Sequence, residues 1–449
     1  MNIILLSGGS GKRLWPLSNE VMSKQFLKLL RDDDGNSQSM IQRVFGQIRK
    51  AGLNASVTIA ASKLQADSIK LQVGDQADIV LEPERRNTFP AIVLSCARLS
   101  FEKGIDPEDV VIVLPVDPYA ELHYFELMRD MERAIMKRKG DIVLMGVKPT
   151  YPSAKFGYII PDREGKADQT RKVLYFREKP DEDAARDLIE RGALWNCGVF
   201  AFKLGFLIGL LGDKVRVSSY RELVDRYGEL PNESFDYEVL EKAGSVAVVE
   251  YDGVWKDLGT WNTLTEQIED TRIGKNIIMD DTCKDTHVIN TLDIPLITMG
   301  ARDMVVVASH DGILVADKHQ SSYLKPFADR IKQRPMYEAC RWGEYHVLEY
   351  ASGTDKHESM TLRVNILEGS SLQFHSHQKR IETWIATKGD GECLIDGQRF
   401  PLSPGSVLRI PSGCGHALHA RTNLEIIEVR IGEDLSEQDT DFFDDDIVW

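Results

Sequence analysis

Leu6-Ser7-Gly8-Gly9-Ser10-Gly11-Lys12-Arg13-Leu14 follows directly on a short apolar run, Ile3–Leu6, at the start of the chain. Three glycines within four residues let a backbone turn bring its N–H groups against phosphate oxygens. This is not a Walker A loop, because Arg13 stands where Ser or Thr must follow the lysine. It is not a dinucleotide fingerprint either, because Leu14 occupies the third glycine position. The glycines alone leave a plain strand-to-helix turn open as the alternative.

Outward from this loop, the first half of the chain alternates β-branched runs with helical stretches. Ile3–Leu6, Val57–Ala60, Ile79–Leu81, Val110–Leu114 and Ile142–Met145 predict buried strands. Met40–Lys50, Lys63–Leu71 and Pro90–Phe101 predict the helices between them. The pattern is that of an α/β fold with a mixed, mostly parallel sheet, Rossmann-like in organisation, running over 1–270. Ligands of such sheets sit beyond the carboxyl ends of the strands. Residues 271–335 predict a β-rich connector, with strands at Asn276–Met279, His287–Ile289, Met304–Ala308 and Ile313–Ala316, then a helix over Ser321–Gln333. The last stretch, 336–449, reads as an all-β barrel, with turn signals at Gly369, Gly389, Asp396-Gly397 and Pro404-Gly405. Its final part, Glu433 to Asp446, carries eight carboxylates and reads as a solvated acidic end.

A chain of 449 residues exceeds what one hydrophobic core usually supports, consistent with this division. The formal charge of -15 argues against nucleic-acid and anionic-membrane partners, which demand a basic footprint. Six scattered cysteines form no CxxC pair and read as reduced thiols. The opening apolar run is too short for a signal peptide, so the expected location is cytoplasmic.

The loop continues as Trp15-Pro16-Leu17, then Lys24-Gln25-Phe26-Leu27. Further on come Glu82-Pro83 with Arg86-Asn87-Thr88, Leu114-Pro115 with Asp117, Phe156-Gly157-Tyr158-Ile159 and Glu178-Lys179-Pro180. Trp195-Asn196 with Gly198, and Trp255, Asp257, Gly259 and Trp261, complete the series. In this order the segments resemble mannose-1-phosphate guanylyltransferases of the long form, which carry a cupin domain like that of type II phosphomannose isomerases. The resemblance covers nearly the whole chain. It implies GTP and mannose 1-phosphate as substrates, with another sugar such as a manno-heptose 1-phosphate as the alternative. Nucleophile and leaving group are both anionic, so alignment and charge neutralisation must supply the catalysis.

By this resemblance Arg13 and Lys24 are the catalytic cations on the triphosphate, and Leu6, Gly8, Gly9, Ser10, Gly11, Arg86, Asn87 and Thr88 bind the nucleotide. Gly157, Glu178, Lys179 and Asn196 bind the sugar phosphate, and Asp117 and Asp257 hold Mg²⁺. Ser23, Pro118 and Cys197 depart from the family's usual proline, histidine and serine. A homodimer is one arrangement the sequence allows.

In the barrel, His375, His377, Glu382 and His416 fit the spacing of the two cupin motifs, with Gln373 on the same strand face. Three imidazoles and a carboxylate suit a divalent transition metal, Zn²⁺ or similar. The isomerase pattern is looser here. Gln378-Lys379 are inserted, Thr383 replaces a histidine, and Ala417 stands where an arginine follows the late histidine. Weak or absent interconversion of mannose 6-phosphate and fructose 6-phosphate is therefore expected, with a bifunctional enzyme as the alternative and Arg380, Arg363 or Arg409 as candidate substitutes for the missing cation.

Overall fold

A computed structural model describes residues 1–9, 11–162, 170–353 and 357–443. It forms two compact units. The first comprises 1–14, 18–271 and 317–325, and the second 15–17, 272–316 and 326–449. The β-rich stretch after residue 271 thus groups with the barrel.

The first unit is built on a nine-stranded sheet. Its order is Asp78–Glu82, Ser56–Ser62, Asn2–Leu6, Val110–Pro115, Leu194–Lys203, Ile142–Val147, Val246–Tyr251, Thr170–Arg177, Tyr158–Pro161. The first four of these run parallel, while Leu194–Lys203 lies antiparallel to both neighbours. Side-chain alternation divides the core between the two faces: Ile3, Leu5 and Ile112 pack into one cluster, Ile4, Val111 and Val113 into the other. Near-continuous apolar strands are what a sheet covered on both faces requires.

The helices form where the sequence supplies their ends. Ser39 caps Met40–Lys50, accepting from the Gln42 N–H while the Gln42 side chain accepts from the Ser39 N–H. Asn87 caps Thr88–Ala97, which is buried along nearly its whole length. Among the described residues no helix is long and apolar enough to cross a membrane.

In the second unit, Arg272–Gly274, His287–Asn290 and Met304–Ser309 stack in parallel, as do Ile277–Met279 and Leu296–Thr298. The expected helix over Ser321–Gln333 is replaced by two short turns, Gln320–Tyr323 and Lys325–Ala328. Pro326 offers no N–H to extend a helix begun before it. The barrel pairs a six-stranded with a five-stranded sheet around Trp384, Ile410, Leu418 and Ile426. The acidic end is corrected at one residue, for Glu433 and Asp441 are exposed as expected and 444–446 lie outside the described residues. Thr440–Phe442 is a strand hydrogen-bonded beside His375–His377, and Asp439 is buried, accepting from the N–H groups of Gln378 and Lys379. Two backbone donors at the tip of a hairpin need an acceptor, and this carboxylate provides it.

Candidate active site

The glycine loop leaves the sheet between two strands that flank Asn2–Leu6 on either side, the place where an α/β sheet opens to ligand. Gly9 and Gly11 have φ of 142° and 64°, values that a side chain tolerates poorly. A Cβ on Gly11 would also stand 2.9 Å from the Asn19 carbonyl oxygen. Buried Gln25 ties the next segment to this loop, donating to the Ser7 carbonyl at 2.6 Å and to Ser7 Oγ at 3.1 Å. Ser23 accepts from Gln65 Nε2 at 2.8 Å, which gives a hydroxyl at this position a structural use.

Lys24, held by these contacts, points at two carboxylates. Its Nζ lies 2.5 Å from Asp117 Oδ2 and 3.7 Å from Asp257 Oδ1. The strand Trp255–Asp257 pairs antiparallel with Pro118–Ala120, setting Asp257 opposite Pro118 and therefore beside Asp117. Burial alone would lower the Lys24 ammonium, but Asp117 and Asp257 outweigh it and hold its pKa above the ordinary lysine value. Burial pushes the Asp257 carboxyl up. Lys24 opposes that shift, and the like charge of Asp117 adds to it. Asp257 Oδ1 is buried without a hydrogen-bond partner. Two convergent carboxylates with such an oxygen fit a hard, oxygen-ligated cation such as Mg²⁺.

A second polar cluster lies in the same unit. Glu178 is buried and its Oε1 pairs with Lys179 Nζ at 2.6 Å. Lys179 itself has φ of 42°, unusual for a residue with a side chain. A Cβ on Gly157 would stand 2.5 Å from Glu178 Oε2, so this glycine leaves room first of all for that carboxylate. The Asn196 N–H donates to the Gly157 carbonyl at 2.8 Å. Asn196 Nδ2 donates to Asp236 Oδ1 at 2.8 Å, and Asn196 Oδ1 accepts from the Gly198 N–H at 3.0 Å. Ring contacts run from Tyr151 to Trp195, Trp195 to Phe156 and Phe156 to Trp255, with centroids 5.0, 4.8 and 5.4 Å apart. This packed aromatic chain fixes the spacing between Asn196 and Asp257, each next in sequence or nearly so to one of its rings.

In the barrel, His377, Glu382 and His416 are buried with their ligand atoms within 4.8 Å of one another. The Nδ1 atoms of His375, His377 and His416 lie 2.8, 2.9 and 3.1 Å from the carbonyl oxygens of Gln373, Arg380 and Cys414. Such contacts fix the tautomer and leave each Nε2 as a lone-pair donor, the usual support for a metal-binding imidazole. The Nε2 atoms of His377 and His416 are buried without a well-aligned hydrogen bond. Burial, then the neighbouring His416, lowers His375 to about 4, so its imidazole is neutral at ordinary pH. Glu382 is also gripped by the protein: Arg380 Nε donates to Oε1 at 2.9 Å and Trp384 Nε1 to Oε2 at 3.2 Å, with Arg430 Nε 3.5 Å from Oε1. Two imidazoles beside a carboxylate, with His375 outside that cluster but its ring centroid 4.1 Å from that of His416, fit a divalent transition metal.

These features have counterparts in known proteins. The nucleotidyl transferase family model matches residues 2–273, and that of the C-terminal domain of mannose-6-phosphate isomerase matches 330–445. A mannose-1-phosphate guanylyltransferase of Salmonella montevideo is 30% identical over 98% of both chains. The chain belongs to the mannose-1-phosphate guanylyltransferase family. An Escherichia coli K12 protein of the same description is 28% identical over 98% of this chain and 97% of its own. The alginate biosynthesis protein AlgA of Pseudomonas putida is 28% identical over 98% and 95%. A crystal structure from Thermus thermophilus, described as a mannose-1-phosphate geranyltransferase, superposes with a TM-score of 0.61 at 27% identity. It covers 74% of this chain and 99% of its own. The chain is a nucleotidyltransferase with a β-rich C-terminal domain of the isomerase type, and both domain types are typically metal-dependent.

Within this family frame, the residues singled out by sequence fall into two groups. Lys24, Asp117 and Asp257 meet, and so do Gly157, Glu178, Lys179 and Asn196. Arg13 acts electrostatically on both Lys24 and Asp257. Ser10 lies outside the described residues. Arg86 is held by protein groups, donating to the carbonyls of Gly228 and Leu230 at 2.7 and 3.0 Å and to Glu84 at 2.8 Å. Thr88 Oγ1 accepts from the Phe235 N–H, Asn87 Oδ1 accepts from the Thr88 N–H, and the Asn87 N–H donates to Asn232 Oδ1. Gln373 turns out of the barrel and reaches the Phe443 carbonyl. Sequence reading missed Asp236, Glu428 and Arg430. The last two share the inward face of Leu424–Gly432 with Leu424 and Ile426, a period of two in which the charged pair continues the apolar row.

Proposed function

We propose that the chain transfers the guanylyl group of GTP to α-D-mannose 1-phosphate, giving GDP-mannose and pyrophosphate. A phosphate oxygen of the sugar attacks the α-phosphorus while the bond to the β-phosphate breaks. No base is needed, because the attacking oxygen is already ionised. What the chain must supply is alignment and positive charge. Arg13 offers a forked guanidinium to the triphosphate and Lys24 a point charge near the α-phosphate. Asp117 and Asp257 would hold Mg²⁺, which supplies charge neutralisation across the two reacting phosphates. Glu178, Lys179 and Asn196 would orient the sugar. The observation that carries this reading is the meeting of Lys24 with Asp117 and Asp257 beside the glycine loop.

The barrel is assigned a bound transition metal but a weak isomerase activity. Arg380, nearest in sequence to the cation the isomerase pattern lacks, is buried against Glu382, the Ser436 carbonyl and Thr440 Oγ1. It is not available to grip a 6-phosphate.

A pyrophosphate-release assay across nucleoside triphosphates and sugar 1-phosphates, with mannose and manno-heptose 1-phosphates included, tests the main reading. GTP with mannose 1-phosphate should exceed every other pair by at least about tenfold in kcat/KM, a difference of about 1.4 kcal/mol in transition-state binding. A different pair in first place would replace the substrate assignment.

A further inference from the structure

The cluster around Glu178 contains a second carboxylate. Asp236 lies in the short turn Phe235–Glu238, whose N-terminus is capped by Ser234. Three contacts fasten this turn to the segment before Thr88–Ala97. Thr88 Oγ1 accepts from the Phe235 N–H at 3.0 Å, the Phe89 N–H donates to the Glu233 carbonyl at 3.2 Å, and Asn232 Oδ1 accepts from the Asn87 N–H at 3.0 Å. Buried Phe235 packs between Phe200 and Phe202, with centroids 4.8 and 5.8 Å away. The position of Asp236 is therefore set by rigid neighbours.

Its immediate surroundings do not call for a charge. Asn196 Nδ2 needs one acceptor oxygen, which a neutral asparagine would supply equally well. A carboxylate here is costly, because burial and then the like charge of Glu178 push its pKa up to about 7. Lys179 is already paired with Glu178. The arrangement does suit a polyol, in which each hydroxyl both donates and accepts. Glu178 and Asp236 offer acceptors, while Lys179 and the second N–H of Asn196 offer donors. A hydroxyl–carboxylate bond is among the stronger hydrogen bonds available to a sugar.

From this geometry we infer that Asp236 is a specificity-determining residue that accepts a hydrogen bond from a hydroxyl of the sugar phosphate, alongside Glu178. The inference rests on the sugar site proposed above. Its rival is a purely supporting role, in which Asp236 does no more than orient Asn196.

The test compares Asp236→Asn and Glu178→Gln in the full chain, each with mannose 1-phosphate and with its 2-, 3-, 4- and 6-deoxy analogues. Asp236→Asn should raise KM for mannose 1-phosphate at least about tenfold and leave KM for GTP within about twofold. Wild type should penalise one deoxy analogue at least about tenfold, and the variant should show a clearly smaller penalty for that analogue alone, because a neutral amide oxygen is a weaker acceptor than a carboxylate. A supporting role would weaken binding yet keep every penalty as in wild type, and that result overturns the inference. So does an unchanged KM for the sugar in Asp236→Asn while Glu178→Gln raises it. An unchanged KM in both variants instead removes the sugar site itself. If Asp236→Asn fails to fold by circular dichroism, Asp236→Ser takes its place in the same series, with the same criteria.

Discussion

The two proposed cation sites of this chain differ in what faces their candidate ligand atoms. In the transferase unit, the ammonium of Lys24 lies 2.5 Å from Asp117 and 3.7 Å from Asp257, one positive charge against two carboxylates, and leaves Asp257 Oδ1 without a hydrogen-bond partner. In the barrel, the Nε2 atoms of His377 and His416 converge near Glu382 with no proton donor aimed at them, their Nδ1 atoms anchored on backbone carbonyls. The first arrangement carries a counter-ion for one of its two carboxylates. The second sets the Nε2 atoms of two buried imidazoles facing Glu382 at 3.3 and 3.6 Å, the donor set that a ligand-seeking ion would take. A divalent ion would have to displace the Lys24 ammonium at one site, whereas at the other it would enter where His377 Nε2 faces Glu382 Oε1 at 3.3 Å. On the function proposed above, the transferase ion would arrive with phosphates that draw Lys24 away, and the barrel ion would be a resident one.

The largest effect expected from this contrast is at the aspartates. Asp117→Asn and Asp257→Asn should each lower kcat for pyrophosphate release by roughly a thousandfold or more, since a charged ligand is lost from the reacting phosphates. Folding, followed by circular dichroism, should be preserved. Near-normal turnover in both variants would remove the pair from the mechanism. A smaller effect is expected in the barrel. The His375→Ala/His377→Ala double variant should lose the co-purifying transition metal, with affinity reduced by about 100-fold or more, while pyrophosphate release stays within about twofold of wild type. Elemental analysis beside the release assay reads both. Metal retained at one equivalent would place its ligands elsewhere.

The contrast also marks how far the sequence could be read. Met40–Lys50 was legible from its helical length and pattern, which the structure closes with a cap at Ser39, and the central strands because β-branched residues leave few alternatives. Lys24, Asp117 and Asp257 stood out through motif order, but their meeting depends on the pairing of Trp255–Asp257 with Pro118–Ala120, which no local pattern announces. Asp236 was illegible for a related reason. It sits in a four-residue turn brought to Asn196 by packing across the sheet, and its sequence neighbours read as an ordinary capped turn. Glu428 and Arg430 belong to no motif, and only the pairing of Arg430 with Glu428 and Glu382, on the face that Leu424 and Ile426 bury, marks them out. The acidic end misled at one residue, since Asp439 was counted as one of a solvated run and instead closes a hairpin.

The central claim, that Lys24 stands in for the transferase ion until nucleotide binds, is tested most directly by titrating Mn²⁺ into the chain by calorimetry or paramagnetic resonance after its barrel has been loaded with Zn²⁺. Wild type should bind Mn²⁺ weakly alone and at least about tenfold more tightly with a non-hydrolysable GTP analogue present. Lys24→Met, folded by circular dichroism, should bind it about tenfold more tightly than wild type without nucleotide, because two carboxylates are then left without their cation. Equal Mn²⁺ affinity in wild type and Lys24→Met, with no response to the nucleotide analogue, would contradict the account.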